Sequence, residues 1–193
     1  MEAPEPRSDL LTVGASAALG YPVSEGSERV ESSFRPMSSA VDDPWAPLTP
    51  AAAAQLLSGL PIDWWIAGGW ALDLEGTRTH KDVDVAVLRP DHEVLRDYLA
   101  DWDLRIAYRG ALRPWDRGPV GPPENAVWAR PTPDDEWHID FKIELFEDGD
   151  WLYRRDHSVR RPVADLGVVV DGIPYLDPEL ARLYATREQT LHR

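Results

Sequence analysis

The chain has 193 residues, 34 acidic against 20 basic side chains, and a formal net charge of −14 at pH 7. This length suits one domain with an additional tail. The absence of cysteine excludes a disulfide framework, a thiolate nucleophile and a cysteine-ligated metal site. The acidity argues against a nucleic acid as partner, because such binding needs a basic surface, and it favours cationic or neutral partners or bound metal cations.

The sequence also contains no signal for a membrane or for export. No apolar run approaches the roughly 20 residues that cross a bilayer, and the N-terminus lacks the form of a signal peptide. A chain without cysteine is compatible with a reducing compartment. We therefore expect a cytoplasmic protein that has no membrane partner.

Two parts of the chain differ in composition. Residues 1–46 are rich in Pro, Ser, Ala and Glu and have little hydrophobic periodicity. This composition predicts an acidic, Pro/Ser-rich disordered tail. Residues 47–193 are predicted to form one folded domain.

Helices and strands are mixed along the folded part. Thr49 followed by Pro50 is typical of a helix N-terminus. In chain order, the patterns predict a helix to residue 57, a strand at 64–67, a short helix at 70–74, a strand at 82–88, a helix at 91–100, a strand at 104–108, a loop at 110–123, strands near 126–129, 137–146, 151–154 and 166–170, and a helix from 178 to about 187. This mixture predicts an α/β (α+β) domain with a mixed β-sheet flanked by helices.

A glycine pair and an aspartate pair are the first candidate site residues. Gly68 and Gly69 separate the predicted strand from the short helix, where a glycine turn allows the backbone to approach an anion closely. Asp82 and Asp84 stand two residues apart on an alternating strand, so both carboxylates share one face. Like charges this close favour a bound cation, and Mg²⁺ is the hard cation that suits oxygen ligands best.

Asp140 is the best candidate for a third carboxylate. It lies on a second alternating segment, whose apolar face is Ile139, Phe141 and Ile143 and whose polar face also carries Lys142 and Glu144. A polar row on a strand of this kind indicates a cleft. A salt bridge between Asp140 and Lys142 or an arginine is the alternative interpretation.

These motifs resemble a known family. Gly-Gly-Trp-Ala-Leu-Asp (68–73) followed by His-x-Asp-x-Asp (80–84) is similar to the aminoglycoside and lincosamide nucleotidyltransferases, which belong to the DNA polymerase β-type superfamily. Segments 137–146, 150–155 and 173–179 agree with this resemblance, which runs from about residue 64 to residue 184. The resemblance implies the nucleotidyltransferase fold, with a twisted mixed sheet.

The resemblance also implies roles for the candidate residues. Gly68 and Gly69 would cradle the triphosphate of ATP or another NTP, and Asp82 and Asp84 would hold two Mg²⁺ ions. Asp140 would accept the proton of the attacking hydroxyl or share the metal on that side. His80 and Lys81 flank this site and are candidates for contacts with the phosphates of the nucleotide. The implied activity is transfer of an NMP, AMP from ATP in the first instance, to a hydroxyl of a small, cationic acceptor of the aminoglycoside type.

Several other interpretations stay open. The aspartate pair is also compatible with an exposed strand edge, and the glycine pair with a plain turn. His80 is also compatible with a contact that stabilises the loop, and Lys81 with a solvated surface charge. Asp73 is expected to make structural hydrogen bonds, and Glu144 either binds a cationic group or lies on a solvated sheet edge. Two further functions are a toxin–antitoxin nucleotidyltransferase that modifies protein or RNA and a non-catalytic nucleotide-binding remnant. Family members continue beyond the last helix, so we also expect either a homodimer that completes the acceptor site or a different acceptor.

Overall fold

The structure is a computed structural model that describes the backbone of residues 35–36 and, in full, residues 44–116 and 118–185. Most of the predicted disordered tail, residues 1–46, lies outside these ranges. Its last residues pair with the folded domain, since Ala46 N donates to Trp137 O over 3.0 Å and Trp137 N donates to Pro44 O over 3.1 Å. The folded domain therefore begins no later than Pro44.

Four α-helices and eleven strands are present in the described ranges. The helices are α1 (Pro50–Leu56), α2 (Gly68–Leu72), α3 (His92–Tyr98) and α4 (Pro178–Ala185). The strands are β1 (Arg35–Pro36), β2 (Trp64–Ile66), β3 (Asp84–Leu88), β4 (Asp103–Tyr108), β5 (Ala111–Pro114), β6 (Ala126–Arg130), β7 (Ile139–Glu147), β8 (Asp150–Leu152), β9 (Arg160–Pro162), β10 (Gly167–Val170) and β11 (Ile173–Leu176).

Nine of these strands form one mixed sheet in the order β1-β5-β4-β6-β7-β3-β2-β11-β10. The pairs β3–β7 and β2–β11 are parallel, and the other neighbours are antiparallel. The end of β7 also pairs with β8, which in turn pairs with β9. The predicted α/β domain with a mixed sheet flanked by helices is confirmed.

Alternate residues of β3 enter two hydrophobic cores on opposite faces of the sheet. Val85 and Val87 pack in the core that contains residues of α1 and α3, whereas Ala86 and Leu88 pack in the core that contains residues of α2 and α4. A strand covered on both faces is fixed in position. Because β7 is its hydrogen-bonded neighbour, the two strands can hold polar side chains at a fixed separation.

The element predictions hold with some exceptions. The Thr49 side chain accepts a hydrogen bond from Ala52 N over 3.2 Å, which confirms the predicted start of α1. The strand predicted over 82–88 begins at Asp84. The predicted loop 110–123 contains β5, and the strands β9 and β11 were not predicted. Each of these three strands contains a proline, which weakens a strand signal in sequence.

No helix among the described residues combines the length and the apolarity that a membrane crossing requires.

Candidate active site

The turn between β2 and α2 lies directly against Asp84. Gly68 has a φ of +58°, and a β-carbon at this position would lie 1.8 Å from Asp84 Oδ2. At Gly69 a β-carbon would lie 2.4 Å from His80 Nδ1. Ala67 N donates to Asp84 O over 2.8 Å, which fixes the turn to the start of β3. Both glycines are therefore required by close approach to a candidate site residue, beyond the needs of a plain turn.

Asp84 and Asp140 are register partners at the starts of the parallel strands β3 and β7. The ammonium of Lys142 lies between them, with Nζ 3.1 Å from Asp84 Oδ1 and 2.6 Å from Asp140 Oδ2. The structure therefore brings two of the three predicted carboxylates together around a positive charge. The salt bridge between Asp140 and Lys142, weighed as an alternative from the sequence, is present.

Asp140 is buried in a polar setting that is incompletely satisfied. Its side chain is 8 % exposed, and its Oδ2 also accepts a hydrogen bond from Trp128 Nε1 over 3.0 Å. Its Oδ1 is buried and has no hydrogen-bond partner among the described residues. Burial raises the pKa of Asp140, Lys142 lowers it and the charge of Asp84 raises it, and together these causes bring the pKa to about 6. This carboxyl can thus change protonation state near neutral pH.

Lys142 is a firmly charged cation in this cluster. Burial alone lowers the pKa of the Lys142 ammonium, but the negative charges of Asp140 and Asp84 raise it above its ordinary value. The ammonium therefore remains protonated wherever the two carboxylates are ionised.

Glu144 lies two residues further along β7 and is buried rather than solvated. Its Oε2 accepts hydrogen bonds from Trp151 Nε1 over 2.9 Å and from Tyr184 OH over 2.6 Å. Burial raises the pKa of Glu144 above its ordinary value, and the two hydrogen bonds oppose this shift. The interpretation of Glu144 as part of a solvated sheet edge is wrong, because β8 and α4 cover it.

Asp73 organises the loop that leads to Asp82. It accepts hydrogen bonds from Thr77 N, Thr77 Oγ1 and Arg78 N over 2.8–3.1 Å, and His80 Nε2 lies 3.2 Å from its Oδ2. The hydroxyl of Thr77 is the main cause that lowers the pKa of Asp73 to about 2. The predicted structural role of Asp73 is thus borne out by its contacts. His80 is held between this carboxylate and the ring of Trp70, whose centroid is 4.5 Å away.

Most of the candidate residues line one cleft of about 520 Å³. The predicted residues that line it are Gly68, Gly69, His80, Lys81, Asp82 and Asp84. Asp140 does not line the cleft, but Lys142, which contacts it, does.

The cleft also contains residues that sequence reasoning missed. Arg154 and Arg155, from the segment after β8, and Tyr184, from α4, line its other side. The guanidinium carbons of the two arginines lie 4.9 and 5.7 Å from the centre of the Tyr184 ring. The sequence shows only that Tyr184 follows Leu180 and Ala181 on an apolar helix face, which predicts packing and not a place beside a buried carboxylate.

The donor atoms of this cluster decide whether it fits a metal ion. In the part of the chain that the structure describes, no three or more His, Cys, Asp or Glu side chains are grouped so as to hold a metal ion. The donor chemistry does suit a hard cation: the carboxylates of Asp84 and Asp140 already share one positive charge, and the buried Oδ1 of Asp140 lacks a partner. Asp82 lines the same cleft.

Comparison with known proteins agrees with the predicted resemblance. The family model of aminoglycoside-2''-adenylyltransferase matches residues 51–109, a segment that includes the glycine pair and the Asp82–Asp84 pair. The resemblance to the aminoglycoside nucleotidyltransferases is therefore confirmed over this segment, and it supports the prediction of an adenylyltransferase-like enzyme. The matched segment ends before Asp140, Lys142 and Glu144. No curated protein sequence matches the chain at a significant level.

Two solved structures of one protein of this kind are similar to the chain. The solution structure of the antibiotic-resistance factor ANT(2'')-Ia shares 20% identity over 71% of this chain and 79% of its own, with a TM-score of 0.39. The crystal structure of ANT(2'')-Ia in complex with adenylyl-2''-tobramycin shares 17% identity over 74% of this chain and 88% of its own, with a TM-score of 0.35.

Proposed function

We propose that the protein is a Mg²⁺-dependent nucleotidyltransferase that moves AMP from ATP to a hydroxyl of an aminoglycoside-type small molecule. The observation that carries this proposal is the contact between the Gly68 backbone and the Asp84 carboxylate at the edge of the cleft. A nucleotidyltransferase needs its phosphate-binding backbone and its metal-binding carboxylate in direct juxtaposition. A plain surface turn has no need of this.

Each predicted site residue has a role in this proposal. Asp82 and Asp84 would hold the metal, and the glycine pair would bring backbone N–H groups to the triphosphate. Two bound Mg²⁺ ions would supply neutralisation of the phosphate charge and a lowered pKa of the attacking hydroxyl. His80 and Lys81, which line the same cleft, would contact phosphate oxygens.

Asp140 would receive the proton of the acceptor hydroxyl or share the metal on that side. Its raised pKa makes it a stronger base than an exposed aspartate. Lys142 contacts Oδ2 of Asp140, and its single positive charge balances part of the charge of Asp84 and Asp140 before substrates bind.

An acceptor with several ammonium groups suits the electrostatics of the chain. The net charge of −14 attracts polycations, and the family model that matches residues 51–109 is named for aminoglycoside adenylyl transfer. The same acidity disfavours RNA, the acceptor of one alternative function.

The proposal is tested by pyrophosphate release from ATP and Mg²⁺ in the presence of a panel of aminoglycosides and lincosamides. We expect release with at least one aminoglycoside, and none from the Asp84→Asn variant. Asp116, an exposed aspartate that does not line the cleft, supplies the control variant Asp116→Asn, which should retain the full rate. No release with any acceptor would leave the non-catalytic remnant as the better description.

A further inference from the structure

Lys142 occupies a position that the proposed function assigns to a metal ion. Its Nζ contacts one oxygen of Asp84 and one oxygen of Asp140, and the side chain is 27% exposed, against 15% and 8% for its two partners. An ammonium group at this place attracts both carboxylates and balances part of their charge. A divalent cation that used the same oxygens would meet a positive charge at hydrogen-bond distance from them.

The register of the sheet favours a cation between the two carboxylates. Asp84 and Asp140 are directly opposite each other on parallel strands. The strand β3 packs in both cores, and β7 packs in the core that contains residues of α1 and α3. The register fixes the α-carbons of the two aspartates, so their carboxylates can move apart only by rotation of the side chains. Without Lys142 they would repel each other in the metal-free protein.

Glu144 offers the ammonium another anionic partner. It lies two residues after Lys142 on the same strand, lines the same cleft, and is close enough for its charge to interact with that of Lys142. The long, flexible lysine side chain can therefore leave Asp84 and Asp140 while it stays near a carboxylate.

We propose that Lys142 is an internal counter-ion, which holds Asp84 and Asp140 together in the metal-free protein. A divalent cation must displace the Lys142 ammonium in order to bind these two carboxylates. Lys142 thereby weakens binding of the first cation and stabilises the empty site. This inference rests on the proposed function in one respect, namely that Asp84 and Asp140 belong to the metal site.

The test is the affinity for Mn²⁺, measured by the electron paramagnetic resonance signal of the free ion in the absence of nucleotide. We expect Lys142→Met to bind Mn²⁺ at least about tenfold more tightly than the wild type. Lys142→Arg, which keeps the charge, should stay near the wild-type affinity. The matched control is Arg155→Met, which removes one positive charge from the same cleft at a residue without contact to either aspartate, and it should shift the affinity by less than about twofold.

Thermal unfolding supplies a second measurement. In the presence of a chelator, Lys142→Met should unfold at a lower temperature than the wild type, and added Mn²⁺ should raise its Tm by more. Lys142→Gln gives the same two measurements if the methionine variant does not fold.

Equal Mn²⁺ affinity in Lys142→Met and the wild type would overturn the inference, as would an equal gain in Arg155→Met. Pyrophosphate release by the wild type separates this failure from failure of the proposed function. If the wild type is active and the Lys142→Met variant has unchanged Mn²⁺ affinity, only the role inferred for Lys142 is rejected. Absence of Mn²⁺ binding in both proteins would count against this inference and against the metal site together.

Discussion

Gly68 contacts Asp84 more closely than any residue with a side chain could. Its φ of +58° lies in the left-handed region, and a β-carbon would collide with Asp84 Oδ2 at 1.8 Å. Gly76 has a similar φ of +64° but no atom within 4 Å of its β-carbon position. Substitutions at the two glycines can therefore distinguish the cost of backbone strain, present at both, from the cost of a collision with the carboxylate, present only at Gly68.

Gly68→Ala should reduce both stability and activity. We expect Gly76→Ala to cost about 1 kcal/mol of unfolding free energy through strain alone. Gly68→Ala should cost more unfolding free energy than Gly76→Ala. It should also lower the rate of nucleotidyl transfer about 100-fold or more, because a displacement of the Asp84 carboxylate by about 1 Å disrupts the site. Urea unfolding and pyrophosphate release measure the two effects. Equal losses in the two variants would show that the contact with Asp84 is unimportant.

Asp140 should give the metal-free protein a specific pH dependence. Its pKa is about 6 when folded against an ordinary value of 3.8, so between these values the folded protein binds more protons than the unfolded chain. Its contribution to stability is therefore fully present below about pH 3.8 and is lost as the pH rises through about 6. The Asp140→Asn variant does not titrate at this position.

Urea unfolding in a chelator, at several pH values between about 4 and 7, measures this effect. Relative to Asp140→Asn, the wild type should lose unfolding free energy as the pH rises across this window. A difference that stays constant, or that changes with the opposite sign, would contradict the buried setting of Asp140.

At the scale of elements, a hydrogen bond connects α4 to β7 in the lining of the cleft. Tyr184 of α4 donates to Glu144 of β7 over 2.6 Å, while Tyr153, which follows β8, donates to the backbone oxygen of Leu183 over 2.7 Å. The first bond reaches a buried carboxylate and the second a neutral carbonyl. Loss of a donor to a buried charged acceptor is the more costly of the two.

Tyr184→Phe should therefore destabilise the protein more than Tyr153→Phe. We expect losses of about 1–3 kcal/mol and about 0.5–1.5 kcal/mol of unfolding free energy, respectively. Each variant loses one tyrosine hydroxyl. Urea unfolding of both variants compares the two losses of unfolding free energy. A larger loss in Tyr153→Phe would show that the Glu144 contact does not hold α4 in place.

The sequence predicted the elements around the glycine and aspartate pairs well. Thr49 and the alternation of β3 are local signals, and local signals fix the type of an element. The burial of Ala86 and Leu88 on the second face of β3 could not be predicted, because it depends on α2 and α4 packing there. The strands β5, β9 and β11 were missed because they are short and contain proline.

The site was predicted as three carboxylates, whereas its central contact is an ion cluster. Alternation on two strands placed Asp84 and Asp140 on polar faces, but only the register between β3 and β7 brings them opposite each other. Lys142 was considered as a partner of Asp140 alone. Its second contact, with Asp84, depends on a strand 58 residues earlier in the chain and leaves no local signal.

At the scale of the whole molecule, the net charge of −14 bears on the acceptor. A long-range attraction acts on every charge of a polycation, and dissolved ions screen it. We predict that raising the salt from about 0.05 M to about 0.3 M weakens the apparent affinity for a polyamine aminoglycoside more than for a monobasic lincosamide. Measurements of KM or of equilibrium binding at both salt concentrations give this comparison. Equal salt dependence for the two acceptors would remove charge as a reason to prefer aminoglycosides.

The central claim is adenylyl transfer to a small-molecule hydroxyl at the Asp84 site. Mass spectrometry of an aminoglycoside incubated with the protein, ATP and Mg²⁺ tests it most directly. We predict a product heavier than the acceptor by one AMP group, and no such product with Asp84→Asn. An unmodified acceptor, with AMP found instead on protein or RNA, would contradict the claim and favour the toxin–antitoxin alternative.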